Sequence, residues 1–168
     1  MEIIFAVAVM VAVFYFSNDI ARLSMYGYAG VFLISLLSNA TILFPAPGWA
    51  VVIAMSTQLE PLLLGIVAGI GSSIGELTGY LAGAGARTLL NNNIKETKDV
   101  ENMVRKYGMG AIFVLALFPN PLFDIAGIIS GGLKIPWWRF LVACTLGRVL
   151  KYVLLAFAGE LALERLFW

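Results

Sequence analysis

Long apolar runs separated by a few short polar or proline-rich interruptions make up this chain, and the interruptions set its predicted elements. Ile3 to Phe16 is unbroken apolar sequence, preceded by Glu2 and followed by Ser17, Asn18, Asp19 and Arg22. It predicts a retained transmembrane helix of about 20 residues within residues 1–24, since a basic start and a small-residue cleavage site are both missing. The apolar pattern resumes from Met25 to Met55, broken by Ser38, Asn39 and Thr41 and then by Phe44-Pro45-Ala46-Pro47-Gly48. Each proline lacks an amide donor and disfavours helix in the residue before it, so a helix arriving from Tyr26 stops here and a new one starts at Pro47. Two arms too short to span predict a hairpin that returns to its own side; one kinked spanning helix is the alternative.

A longer helix is predicted from Pro61 to about Leu90. Gly71, Gly75, Gly79 and Gly83 recur along it every fourth residue, a smooth stripe for close helix packing. Asn91 to Lys106 is the one markedly hydrophilic segment. Within it Val100, Met103, Val104 and Tyr107 keep helical spacing, which predicts an amphipathic helix lying on the membrane surface. Leu117 to Gly132, LFPNPLFDIAGIISGG, then repeats the proline break, with Pro119, Asn120, Pro121 and Asp124 inside an otherwise apolar stretch. Backbone irregularity of this kind is tolerated in a bilayer only where it faces protein or a polar cavity. Lys134, Pro136, Trp137, Trp138 and Arg139 suit an interface, and a last helix runs to about Arg165.

Composition places all of this in a membrane. Of 168 residues 61% are hydrophobic and 12% charged, about half the charge share of a soluble domain. Net charge is +1, so no global field points to nucleic acid. The absence of histidine and the single cysteine, Cys144, argue against most hydrolase and metal chemistry, so no enzyme activity, cofactor or metal site is expected.

The two halves of the chain match. Tyr26-Gly27-Tyr28-Ala29-Gly30-Val31-Phe32 resembles Tyr107-Gly108-Met109-Gly110-Ala111-Ile112-Phe113, 81 positions on; Leu43-Phe44-Pro45-Ala46-Pro47 resembles Leu117-Phe118-Pro119-Asn120-Pro121, 74 on; Gly75 and Tyr80 match Gly147 and Tyr152, 72 on. Each half reads as one hairpin plus one crossing helix, residues 25–90 and 107–168, so the halves start on opposite faces. Inverted repeats of this kind mark transporters, with the site near the midplane where broken helices meet. The expected fold is an all-α polytopic membrane protein, a single domain over residues 1–168: an inverted repeat of re-entrant hairpin plus transmembrane helix, with an N-terminal transmembrane helix and the surface helix at 91–106. This topology puts Arg87, Lys95, Lys98, Arg105, Lys106, Lys134 and Arg139 on one side with the chain start, against Arg22 and Arg165 on the other. Seven basic residues against two predict a cytoplasmic N-terminus.

Four charges remain inside the membrane, Glu76, Asp124, Arg148 and Lys151, with a formal sum of zero. An unpaired charge there is costly, so Glu76 or Asp124 is expected to pair with Arg148 or Lys151. Half-helices starting at Pro47 and Pro121 would turn free amides and a positive dipole end toward the centre, where anions such as phosphate are favoured. Asp124 either serves that site or merely caps its half-helix.

The segment Phe118-Pro119-Asn120-Pro121-Leu122-Phe123-Asp124-Ile125-Ala126-Gly127, followed by Gly132, Pro136, Trp137, Phe140 and Gly147, resembles the most distinctive part of the vacuole membrane protein branch of the DedA superfamily, also called the VTT or SNARE-associated Golgi domain. Gly75-Glu76, Gly79-Tyr80, Gly83 and Pro45-Ala46-Pro47-Gly48 resemble other parts of that domain. The resemblance covers about residues 25 to 160. It implies two facing re-entrant hairpins and a role in moving lipids between leaflets, by scrambling in the eukaryotic branch and by recycling undecaprenyl phosphate, with proton coupling, in bacterial members. Arginines that usually flank the second hairpin's proline in bacterial members are replaced here by Ala116 and Leu122, or by Phe118 and Asp124 if Pro121 is the reference. Trp49 follows the first hairpin's Pro47-Gly48. These departures favour the scrambling branch.

The expected function is therefore a phospholipid scramblase or flippase, integral to the membrane. Headgroups of phospholipids or lipid phosphates would pass Glu76, Asn120, Asp124, Arg148 and Lys151 between hairpin tips formed by Pro45, Pro47, Gly48, Pro119 and Pro121. The alternatives are a carrier coupled to protons or ions and a non-transporting membrane assembly factor. A homo-oligomer is left open, and no nucleic-acid partner is expected.

Overall fold

The computed structural model of the protein describes residues 26–40, 48–85, 95–118 and 122–167. Among them are seven helices and no strand: α1 (Gly27–Ala40), α2 (Gly48–Met55), α3 (Pro61–Gly85), α4 (Lys95–Tyr107), α5 (Met109–Leu117), α6 (Leu122–Gly132) and α7 (Trp137–Phe167). The N-terminal helix expected within residues 1–24, the tip residues Pro45, Pro47, Pro119, Asn120 and Pro121, and Arg22 and Arg87 lie outside the described residues.

Among the described residues two helices are long and apolar enough to cross a membrane, α3 with 25 residues and α7 with 31. At about 1.5 Å per residue each exceeds a hydrocarbon core of about 30 Å. They pack in opposite directions. Gly65 lies against the backbone of Val153, Gly69 against Val149, and Tyr80 stacks on Phe140. A Cβ on either glycine would overlap the facing main chain, so the sequence brings these helices together by omitting side chains.

α1 runs alongside α3 in the same direction, using the glycine stripe. The carbonyls of Phe32 and Leu36 sit over Gly71 and Gly75. Thr78 Oγ1 donates to the Ala40 carbonyl at 3.0 Å, satisfying one of the orphan acceptors at the end of α1. At the other end the Glu60 amide donates to Tyr28 Oη at 3.1 Å, so the start of α1 meets the start of α3. Pro61 opens α3 at the favoured first position, and the Glu60 carboxylate caps it by accepting from the Leu62 and Leu63 amides at 3.1 and 2.7 Å.

Equivalent contacts recur in the second half. α5 packs along α7, with the Phe113 carbonyl over Gly147 as the Leu36 carbonyl is over Gly75. The remaining short helices exchange partners: α6 packs chiefly on α3, through Gly83 against Ile128 and Gly131 against Tyr80, while α2 packs chiefly on α7, with Gly48 near Tyr152 and Ile53 and Ser56 near Gly159. Two buried apolar clusters result, one around Phe123, Phe140, Cys144 and Tyr80, the other around Val52, Leu64 and Tyr152.

α4 differs from its sequence expectation. Val100 and Val104 are buried and Met103 packs on the first cluster, because α4 lies on α6 and α5. Its apolar stripe is covered by protein rather than by lipid, and only Tyr107, 60% exposed, still faces outward. On α7 the outward stripe is continuous: Val142, Leu146, Leu150, Leu154 and Leu161 are all exposed. Trp137 and Trp138 are exposed at the start of the same helix, with the Arg139 guanidinium 5.1 Å from the Trp138 ring.

Candidate functional site

Glu76 and Arg148 each follow a glycine, Gly75 and Gly147, that lets a short helix approach closely. Both side chains are driven inward between α3 and α7, and both are almost completely buried. Arg148 Nη2 donates to Glu76 Oε2 at 2.5 Å. Nη1 donates to Ser72 Oγ, one turn before Glu76, and to Asn39 Oδ1 near the end of α1. The Asn39 amide group in turn donates to the Ser35 carbonyl at 2.8 Å, which fixes its orientation. The guanidinium also lies 4.7 Å from the centre of the Phe123 ring, in the first turn of α6. One side chain on α7 thereby ties together α1, α3 and α6. Arg148 Nε and Ser130 Oγ are buried with no hydrogen-bond partner among the described residues.

The other two charges expected from the sequence to lie within the membrane stand outside this closed pair. Asp124, next to Phe123, is exposed, and Lys151, one turn beyond Arg148, is partly exposed. Neither forms an ion pair among the described residues. Lys151 Nζ lies 5.2 Å from the Tyr152 ring, and the Tyr152 hydroxyl points to the start of α2 at Gly48. All four charges are within electrostatic range of one another. The arrangement is a neutralised inner pair, Glu76 with Arg148, beside an outer pair, Asp124 and Lys151, whose opposite charges are not used up by contact.

A single turn of α7, Arg148 to Tyr152, therefore meets the starts of both α2 and α6. Of the candidate residues, Glu76, Asp124, Arg148, Lys151 and Gly48 come together here; Asn120, Pro45, Pro47, Pro119 and Pro121 are outside the described residues. Asn39 and Phe123 hold Arg148 but were not read from the sequence as site residues. An amide in an otherwise apolar helix was the available signal for Asn39; nothing in the spacing marks Phe123. Among the described residues no group of three or more Cys, Asp or Glu gathers to hold a metal ion.

The family follows from comparison with known proteins. Residues 45–161 match the VTT domain model. This chain belongs to the VTT domain family. It is 32% identical over 104 residues to vacuole membrane protein 1 of Bos taurus, covering 49% of this chain and 26% of that protein. It is 29% identical over 115 residues to vacuole membrane protein KMS1 of Arabidopsis thaliana, covering 55% and 26%, and 37% identical over 71 residues to the vacuole membrane protein 1 homolog of Dictyostelium discoideum, covering 38% and 18%. The chain thus spans about a quarter of the length of the first two relatives. No solved structure matches it. Membership in this family, with two helices able to cross a bilayer, identifies a VTT-domain membrane protein of the DedA type.

Proposed function

We propose that this VTT-domain protein moves phospholipid headgroups between leaflets, as a scramblase, through a polar crevice between two re-entrant hairpins. The observation that carries the reading is the buried Glu76–Arg148 pair between two spanning helices, with the starts of α2 and α6 beside it and with Asp124 on α6 and Lys151 on α7 in no ion pair among the described residues. Charges at such depth are expensive in a bilayer and are retained for a pathway or a relay. Acyl chains would stay in lipid while the headgroup crosses the cluster, which removes most of the solvation barrier.

Support for the hairpins comes from the packing. Tyr28 and Glu60 join the start of α1 to the chain just after α2. Together with the exchange of α2 and α6 between the halves, this fits two arms that leave on the side they entered. The loop-charge bias then puts the N-terminus and the start of α7 in the cytoplasm.

A second reading, a carrier coupled to protons or ions, is favoured by the carboxylate of Glu76, which protonation would release from Arg148. Liposomes containing the purified chain, a fluorescent phospholipid and a membrane-impermeant quencher separate these. Complete quenching without any gradient is the expected result. Quenching confined to the outer leaflet until a proton gradient is imposed would replace scrambling by coupled transport, and no transfer under either condition would favour an assembly role.

A further inference from the structure

The matched tyrosines of the two halves are used differently. Tyr80 donates its hydroxyl to the Ile135 carbonyl, whereas the hydroxyl of Tyr152, a side chain only 3% exposed, makes no hydrogen bond to another described residue. It is aimed at the start of α2. A Cβ built on Gly48 would stand 3.7 Å from Tyr152 Oη, 3.7 Å from Ser38 Oγ and 3.6 Å from Ser38 Cβ. Ser38 is buried near the end of α1, and its hydroxyl too makes no hydrogen bond to a described residue. Two hydroxyl donors therefore converge on a space the size of one atom. That space belongs to the first residue of α2, where an α-helix leaves its amides without intrahelical acceptors, and no described side chain caps them. Donors buried without a partner are costly, so the arrangement calls for an acceptor. In the repeat, Leu122 follows Pro121 where Gly48 follows Pro47, so glycine here is not a requirement of the repeat itself.

An acceptor that takes hydroxyls and helix amides together is best an anion, which the positive end of the α2 dipole also favours. Lys151 Nζ borders the same tyrosine, 5.2 Å from its ring, while both terminal nitrogens of Arg148 are committed to Glu76, Ser72 and Asn39. Trp49, beside Gly48, is 50% exposed, so the first turn of α2 is reached from outside the protein. We infer that the first turn of α2, with Tyr152 Oη, Ser38 Oγ and the space over Gly48, is a binding site for a phosphate group, one oxygen of which takes the place a Cβ would fill. Phospholipid headgroups and free phosphate share this chemistry. Assignment to lipid rests on the transport reading; the anion site does not.

The test is calorimetric titration of the detergent-solubilised full chain with dioctanoyl phosphatidic acid, dioctanoylglycerol and inorganic phosphate. Phosphatidic acid is expected to bind, and dioctanoylglycerol, which lacks the phosphate, is not. Gly48→Ala puts a methyl at ordinary van der Waals distance from its neighbours, so the variant should melt at or above the wild-type temperature. Its affinity should nevertheless fall by roughly tenfold or more, because the methyl excludes the oxygen. Tyr152→Phe should weaken binding by a factor on the order of ten, as for losing one hydrogen bond to a charged acceptor. Tyr80→Phe, whose hydroxyl is engaged elsewhere, should leave the affinity unchanged. Wild-type affinity in Gly48→Ala, equal binding of dioctanoylglycerol, or no binding of either phosphate probe overturns the site. Inorganic phosphate bound as tightly as phosphatidic acid supports the anion site and overturns its assignment to lipid. Phosphatidic acid bound without any lipid transfer in liposomes supports the site and overturns the transport reading instead.

Discussion

Glu76 and Arg148 occupy matched positions in the two halves of the chain and meet at 2.5 Å in its interior. Each follows a glycine that is itself matched, so one sequence relationship produces both the close helix approach and the ion pair. Removing one partner strands the other charge in a buried site, at a cost of about 3–5 kcal/mol. Glu76→Gln and Arg148→Gln should each lower the melting temperature of the detergent-solubilised protein sharply. The double variant should melt above either single one, because no charge is left unpaired. Additive losses in a double-mutant cycle would mean that the two side chains do not act as a pair.

Gly75 and Gly147 make a matched steric prediction. A Cβ on Gly75 would collide with the Leu36 carbonyl, and one on Gly147 would lie 2.6 Å from the Phe113 carbonyl. Backbone cannot swing aside as a side chain does, so Gly75→Ala and Gly147→Ala should each destabilise by about 1–3 kcal/mol. Gly110→Ala, where a Cβ meets nothing within 4 Å, is the control and should melt with the wild type.

Tyr80 reaches across the first core cluster to donate to the Ile135 carbonyl at 2.5 Å, and its ring stacks on Phe140 at 5.2 Å. Tyr80→Phe keeps the stack and loses the donor, leaving a carbonyl at the turn before α7 short of a partner, for about 1–3 kcal/mol. Hydrogen exchange should become faster at the α6–α7 turn and stay unchanged at the α1–α2 end.

Much of this architecture is written in the order of prolines and glycines. Pro61 marks the start of α3, and the four-residue glycine stripe announces the closeness of α1 and α6, because a missing side chain leaves a visible trace. The charges Glu76 and Arg148 were legible as a cost needing compensation. Their choice of each other over Asp124 and Lys151 was not, since it depends on the depth at which α3 and α7 cross. Nor was the burial of Val100 and Val104: an amphipathic stripe has the same spacing whether lipid or protein covers it. Phe123 joins the site only because α6 leans its first turn on Arg148, a tertiary event that no local pattern records.

The central claim is that two halves of opposite orientation bring this charge cluster together, and thiol labelling from outside tests it most directly. In a Cys144→Ser background, single cysteines at Tyr26 and Gln58, both exposed and flanking the α1–α2 pair, should react with an impermeant reagent from one face of the membrane. Cysteines at Met109 and Lys134, exposed and flanking the α5–α6 pair, should react only from the opposite face. Reaction of Tyr26 and Gln58 cysteines from opposite faces would show that α1 and α2 together cross the bilayer, and would contradict the inverted pair of hairpins.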